Sequence, residues 1–472
     1  MKISSNYLEN MEQINSRLTV KESFDIIERT IIIGGKHALI YYLSGFVKDD
    51  IMQQILRNFF NNISESRMES YTDINSFIDN EIPHVSVEPQ KDLDKMIDGL
   101  LTGQTVIIID GFDSAIVMDL RAYAGRSTSE PAKEKTLRGS KDGFVEKIIL
   151  NSALIRRRIR DPRLICEMHS IGYISKTDVC LVYLDKVVDK RALDVIIQKI
   201  NSLSIGALTV GDQSLVDLLL SKNWLNPLPK IRYTERPDVA AAHIVEGKIV
   251  ILVDNSPTAM ILPTGIFDFL QDVNDYYFPN FTGNYLRLIR NVVIFFNIFL
   301  IPVFILFANG NITLPSSFDF IRPEKPSAVS ITTQFIILEI AVDGLKLASL
   351  NTPDPLGSSL SIIGGLILGQ YAVTTGWFTN ETILYSAVVS LAGFAQPSIE
   401  LNYAFKFLRT LLIILCGTIG FWGLILGTVI GLIVAASTKT ITGEPYFYPL
   451  IPFNWIKLKN LIFRTRISNK VQ

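Results

Sequence analysis

Cysteine is nearly absent: three residues in 472, at Cys166, Cys180 and Cys416. No two lie at metal-ligand spacing and no disulfide framework can be built from them, which fits a reducing compartment. Histidine is as scarce. His37, His84, His169 and His243 are scattered, and no Ser-His-Asp or Cys-His pairing has a recognisable context. No catalytic set, cofactor site or metal site is therefore predicted, and the chain does not read as an enzyme. An excess of one charge is missing too. With 45 basic and 46 acidic residues the net charge is −1, which argues against a nucleic-acid partner. The start, "MKISSNYLENMEQINSRL", has no apolar core of a signal peptide, so the N-terminal half is expected to stay in the cytoplasm.

Charge is also unevenly placed. Of the 91 charged residues only 19 follow Asn291, while 48% of the chain is hydrophobic and the mean hydropathy is +0.30. A charged soluble half thus precedes a membrane-like half.

The soluble half contains a duplication. "GQTVIIIDGFDSAIVM" from Gly103 matches "GKIVILVDNSPTAMIL" from Gly247 at an offset of 144, with Asp110 and Asp254 in step. Each copy reads as two β-branched strands joined by a polar turn, a hairpin signal. "ALIYYLSGFV" (38–47) and "VCLVYLDKVV" (179–188) match likewise, each followed by a helical pattern, and "IPHVSVEP" and "LPKIRYTERP" precede the two hairpins. The fold class predicted is an α/β cytoplasmic region of two duplicated subdomains, 30–125 and 170–270, followed by an α-helical membrane domain. "IIIGGKHA" lacks the spacing of a phosphate loop, and Asp110 and Asp113 read as turn formers.

Between the subdomains, apolar residues from Val145 to Ile159 predict a helix stopped by Asp161-Pro162. Arg156, Arg157, Arg158 and Arg160 crowd its last turn. Three readings stand: a solvated face suited to the helix dipole, ion pairs to a neighbouring subunit, or an anionic ligand.

In the second half, spans of about 20 apolar residues are sought. Residues 291–308, 360–375, 382–396 and 408–436 qualify, the last with glycines at 417, 420, 423, 427 and 431 that permit tight helix packing. The tail carries Lys457, Lys459, Arg464, Arg466 and Lys470 with no acid after Glu444, so it too is expected inside. Both ends inside requires an even number of crossings, and four satisfy it. The segment 332–350 is then expected not to cross, leaving the loop around Asp354 outside. Glu339, Asp343 and Lys346 make one polar stripe on that segment, the pattern of an amphipathic helix in the interface or of a re-entrant arm. After "NTPDP", residues 356–376 form a helix with two faces. One is small: Ser361, Gly365, Gly369, Ala372 and Gly376. The other is Ser359, Ile362, Ile363, Leu366, Gln370 and Val373. Either small residues let helices approach and Gln370 bonds a neighbour, or the second face lines a pore gated by dewetting.

"RGSKDGFVEKIILNSALIRRRIRDPRL" (138–164) resembles the A subunits of GerA-type spore germination receptors, as does the order of a duplicated domain followed by a Gly-rich helix after a Pro break. "FLQDVNDYYFPNF", "LEIAVDGLKLASLNTPDPL" and "YPLIPFN" resemble a sporulation-stage branch of that family more than its nutrient-receptor branch. The resemblance implies a multi-pass protein of the spore inner membrane. It implies a homo-oligomer, pentameric by family, that conducts monovalent cations and amplifies germination beside a small membrane partner and other germination proteins. It places the pore helix at 356–376, with Glu339 and Asp343 close to the ion path. A non-conducting scaffold and a nutrient-receptor A subunit are the alternatives. The expected division is a helical segment 1–29, subdomain 30–125, linker helix 126–169, subdomain 170–270, juxtamembrane 271–290, membrane domain 291–438 and basic tail 439–472.

Overall fold

A computed structural model describes residues 1–122, 134, 136, 138–220, 226–312, 323, 327–350, 365 and 372–463. It divides into two compact units, one of residues 1–222 and 231–263, the other of 223–230 and 264–472.

The first unit holds two copies of one topology. The first copy runs α1 (Tyr7–Arg17), β1 (Ile26–Ile33), β2 (Lys36–Leu43), α2 (Asp49–Asn61), α3 (Glu65–Glu69), α4 (Ile74–Glu81), β3 (Val87–Gln90), α5 (Leu93–Leu101), β4 (Thr105–Ile109) and β5 (Ala115–Met118). The second runs α6 (Ile148–Arg158), β6 (Leu164–Ile171), β7 (Thr177–Leu184), α7 (Lys190–Asn201), α8 (Gly211–Leu219), β8 (Arg232–Thr234), α9 (Pro237–Val245), β9 (Ile249–Val253) and β10 (Ala259–Leu262). The strand orders are β1-β2-β4-β5-β3 and β6-β7-β9-β10-β8, and every pairing is antiparallel.

Period-two side chains explain why both faces of the first sheet are covered. On β2 and β4, Ile40, Ile107 and Ile109 join the core beneath α2 to α4, while Leu39, Tyr41, Val106 and Ile108 join the core beneath α1 and α5. Each such fully buried aliphatic contributes about 1.5–3 kcal/mol. The run "IIIGG" is the β1–β2 hairpin turn. Gly34 and Gly35 both take positive φ, +50° and +79°, as a two-residue hairpin of this hand requires.

The duplication reaches further than the strand matches predict. Asn10 in α1 and Asn151 in α6 are both buried and clip the chain in the same way. Each side chain accepts from and donates to the backbone of a residue six positions earlier, Ser4 and Val145. Asp110 and Asp254 accept from Tyr7 N and Ile148 N, the first residues of α1 and α6. The 1–29 segment and the linker helix are thus equivalent opening elements of the two copies.

The arginine cluster divides. Arg156 has no exposed surface and forms a bidentate pair with Asp25, with Nε–Oδ2 at 2.7 Å and Nη2–Oδ1 at 3.1 Å. It also donates to Ser23 Oγ and to the carbonyls of Asp161 and Leu164. Burial opposes its charge, but Asp25 together with Cys166 outweighs this, so the guanidinium is held more basic than usual. Arg158 binds Asp142 and Ser140. Burial alone would raise the Asp142 carboxyl, but Arg158 and Ser140 hold it below the usual range. Arg156 and Arg158 are therefore spent inside the chain, which corrects their assignment to a subunit interface. Arg157 and Arg160 are exposed.

The second unit contains α10 (Ile266–Leu270), α11 (Asn274–Tyr277), α12 (Asn280–Ala308), α13 (Ile331–Leu350), α14 (Ala372–Thr374), α15 (Asn380–Phe394), α16 (Ile399–Ile419), α17 (Phe421–Ser437) and α18 (Trp455–Ile462). Among the described residues one helix, Asn280–Ala308, is long and apolar enough to cross a membrane, and Phe421–Ser437 is apolar but shorter. The single span expected over 408–436 is broken. Gly420 takes φ +67° and the chain reverses into the antiparallel pair α16 and α17. Glycine spacing is what lets the pair close: a Cβ on Gly423 would run into Leu415 O, one on Gly427 into Leu412, and one on Gly431 into Leu408.

Candidate functional site

Charges inside apolar helices need partners, and the second unit supplies them in two places. At the entry to α12, Asp275 is fully buried and holds two arginines. Arg290 donates to it at 2.7 and 2.9 Å, and Arg287 Nε at 3.2 Å. Arg287 also lies over the Tyr276 ring at 5.0 Å. The stretch "QDVNDYY" thus clasps the first turns of the long helix.

The second place joins α12, α13 and α16. Glu339 receives Arg409 through Nε–Oε1 at 2.7 Å and Nη2–Oε2 at 3.0 Å. Lys406 lies 3.3 Å from Glu339 Oε2, donates to the Glu339 carbonyl at 3.2 Å and pairs with Asp343. Arg409 also donates to the backbone and side-chain oxygens of Asn297, whose amide donates to Asn402 Oδ1 at 3.1 Å. Lys346 sits over the rings of Phe394 at 5.2 Å and Tyr403 at 5.8 Å. Asp343 Oδ1 has no hydrogen-bond partner among the described residues.

The local sequence explains the convergence. Glu339 and Asp343 are four apart, Lys406 and Arg409 three apart, so each pair lies on one face of its helix. The helices run antiparallel, which brings Thr332 to Gly417, Glu339 to Arg409 and Lys346 to Tyr403. At the start of α13, Gln334 staples it to α15, receiving Thr379 N at 3.0 Å and Thr382 Oγ1 at 2.9 Å. Phe335 packs with Phe304 and Ile413.

The orientation corrects the expected wet stripe. Glu339, Asp343 and Lys346 lie on one stripe, but it faces neighbouring helices. The outward stripe is apolar: Ile337, Ile340 and Leu347 are exposed, and Gly344 faces open space. An interfacial amphipathic helix would carry the reverse. Sequence reasoning singled out the acids but gave no role to Lys406, Arg409, Asn297, Asn402 or Asp275.

Of the expected pore-lining and packing residues, Ser359, Ser361, Ile362, Ile363, Leu366, Gly369 and Gln370 lie outside the described residues. Ala372 and Val373 are half-buried in α14, while Gly365 and Gly376 meet open space.

Stage V sporulation protein AF of Bacillus subtilis is 34% identical over 98% of this chain and 94% of its own length. Spore germination protein KA of Bacillus subtilis is 27% identical over 98% and 84%, and spore germination protein GerLA of Bacillus cereus 27% over 96% and 92%. A solved structure, the N-terminal domain of the A subunit of the Bacillus megaterium spore germinant receptor GerK3, matches 56% of this chain and 96% of that domain, at 24% identity and a TM-score of 0.41. These relatives are named for germination and sporulation, not for a catalysed reaction. Residues 12–472 match the family described as Bacillus/Clostridium GerA spore germination protein, and the chain belongs to that family.

Proposed function

We propose that the chain is a six-crossing subunit of a spore germination complex in the spore inner membrane, and that its oligomer, a pentamer by family resemblance, releases monovalent cations. The observation that carries the reading is the inverted amphipathicity of α13. A helix with its charges turned inward and its apolar side outward suits lipid surroundings. At 20 residues α13 is about 30 Å long, the thickness of a hydrocarbon core.

Helix directions support the count. Gln334 meets Thr382 and Lys346 meets Phe394, so α13 and α15 run parallel. Asn297 meets Asn402, and Asn311 meets Gly420, so α12 and α16 run parallel. A chain that leaves α13 at Leu350 and begins α15 at Asn380 has to return the length of the bundle between them. That return is the work proposed for 356–376, with Ser359, Ile362, Ile363, Leu366, Gln370 and Val373 towards the axis. Counting α13 as a crossing adds one to the four expected from sequence, and splitting 408–436 at Gly420 adds another. The number stays even, and both chain ends stay on one side.

Tags at Asp354 and beyond the C-terminus test the count. Six crossings put both on the same side, and accessibility from opposite sides would overturn the proposal. Substituting Ile362, Leu366 and Gln370 singly tests conduction. Cation release and germination unaltered in all three would remove the pore assignment and leave a scaffold.

A further inference from the structure

The end of the helical unit where α12 begins and α17 finishes carries a surface that the proposed function does not use. Tyr446 fixes it in place. Its hydroxyl donates to Pro229 O at 2.6 Å, its carbonyl receives Ile266 N at 3.1 Å, and its ring packs near Phe269. Burial pushes this phenol well above its usual range, so it stays a donor. Beyond this pin the chain turns outward. Ile451, Phe453, Trp455, Ile456 and Phe463 are all more than half exposed, and Phe453 stacks on Trp455 at 6.3 Å between ring centres.

Helix α18 organises the patch. Leu458 is buried inward, while Trp455, Ile456 and Lys459 face out, with Phe463 following one turn later. The exposed face is therefore aromatic and aliphatic with a cation in it. Charge in this part of the chain has one sign. After Glu444 the sequence has Lys457, Lys459, Arg464, Arg466 and Lys470 and no acid. An indole with apolar neighbours and cations of unbalanced sign matches the headgroup layer of an anionic leaflet. It does not match free water, where five large apolar side chains would stay wet.

We propose that residues 450–463 lie in the bilayer interface and bind anionic lipid headgroups, with Phe453, Trp455 and Ile456 reaching the acyl boundary and Lys459 meeting phosphate. The surface stands whether or not the chain conducts, because it needs only that the helical unit sits in a bilayer.

Trp455 reports on it directly. The full chain carrying Trp224→Phe, Trp377→Phe and Trp422→Phe keeps one indole. It is reconstituted in nanodiscs of phosphatidylcholine alone, or of phosphatidylcholine with phosphatidylglycerol. The expected result is blue-shifted emission and reduced acrylamide quenching in the anionic discs, both diminished by Lys457→Gln with Lys459→Gln. Native mass spectrometry of the same pair of proteins should show retention of phosphatidylglycerol falling roughly tenfold on losing the two cations. Equal shielding in both lipids would overturn the anionic preference. Water-like emission in both would overturn the membrane contact itself, and protection appearing only in native membranes would assign the surface to a protein partner instead. Lys457→Arg with Lys459→Arg keeps the charge and should behave as the parent, which separates lipid binding from a folding defect.

Discussion

Two arginine–carboxylate sites in this molecule look alike and sit in different surroundings. In the α/β unit, Arg156 and Asp25 are enclosed, and Ser23 and two carbonyls accept further hydrogen bonds from the guanidinium. In the helical unit, Arg409 and Glu339 are joined by a second cation and a second acid, and Asp343 Oδ1 has no hydrogen-bond partner among the described residues. The first is a closed joint that ties the approach to β1 onto the start of β6. The second is an open network, with more charge than a joint requires. Closed ion pairs fix geometry, and apolar packing can replace them. Networks with capacity to spare are where ions or moving helices have something to act on.

Replacing each pair whole breaks the comparison most sharply. Arg156→Gln strands the buried Asp25 carboxylate and should cost about 3–5 kcal/mol, read by denaturant unfolding, whereas Arg409→Gln leaves Glu339 with Lys406 3.3 Å away and should cost less, read by thermal unfolding in detergent. The double changes should then diverge. Asp25→Leu with Arg156→Met should restore most of that stability and leave germination intact. Glu339→Leu with Arg409→Met should restore stability and still abolish cation release from spores. Normal release in the second double variant would reduce the helical network to a joint like the first.

A smaller effect compares the two copies of the α/β unit. Asn10→Ala and Asn151→Ala each remove a two-bond backbone clip and should cost about 1–3 kcal/mol apiece. Equal losses in chemical denaturation would show that the copies still use the clip alike, and a loss confined to one would show that they have diverged. The smallest effect expected is that of Lys346→Gln. Its contact with Phe394 and Tyr403 is worth about 0.5–2 kcal/mol, and a shift in thermal midpoint larger than that of the Asn variants would mean Lys346 belongs to the ionic network after all.

Much of the α/β unit was legible because its strands repeat. A period of two, a polar turn and a second copy at a fixed offset leave little room for another reading, and β4, β5, β9 and β10 fall where the hairpin signals lie. Arg156 was not legible, since its partner is 131 residues away and an arginine-rich last turn looks the same whether wet or buried. In the helical unit, periodicity places Glu339, Asp343 and Lys346 on one face but cannot say whether that face meets water or another helix. Glycines at helical spacing from 417 to 431 fit one long helix as well as two short ones, and only the left-handed backbone at Gly420 decides between them.

That reversal at Gly420 bears on how the protein is made. Helices α16 and α17 are contiguous in the chain and form one hairpin, which carries Lys406 and Arg409. Their acids, Glu339 and Asp343, were synthesised some sixty residues earlier. Until the hairpin arrives α13 holds two unmatched negative charges, and until it meets α13 the hairpin holds two unmatched positive ones. Assembly therefore has a direction along the chain, with later helices neutralising one made well before them.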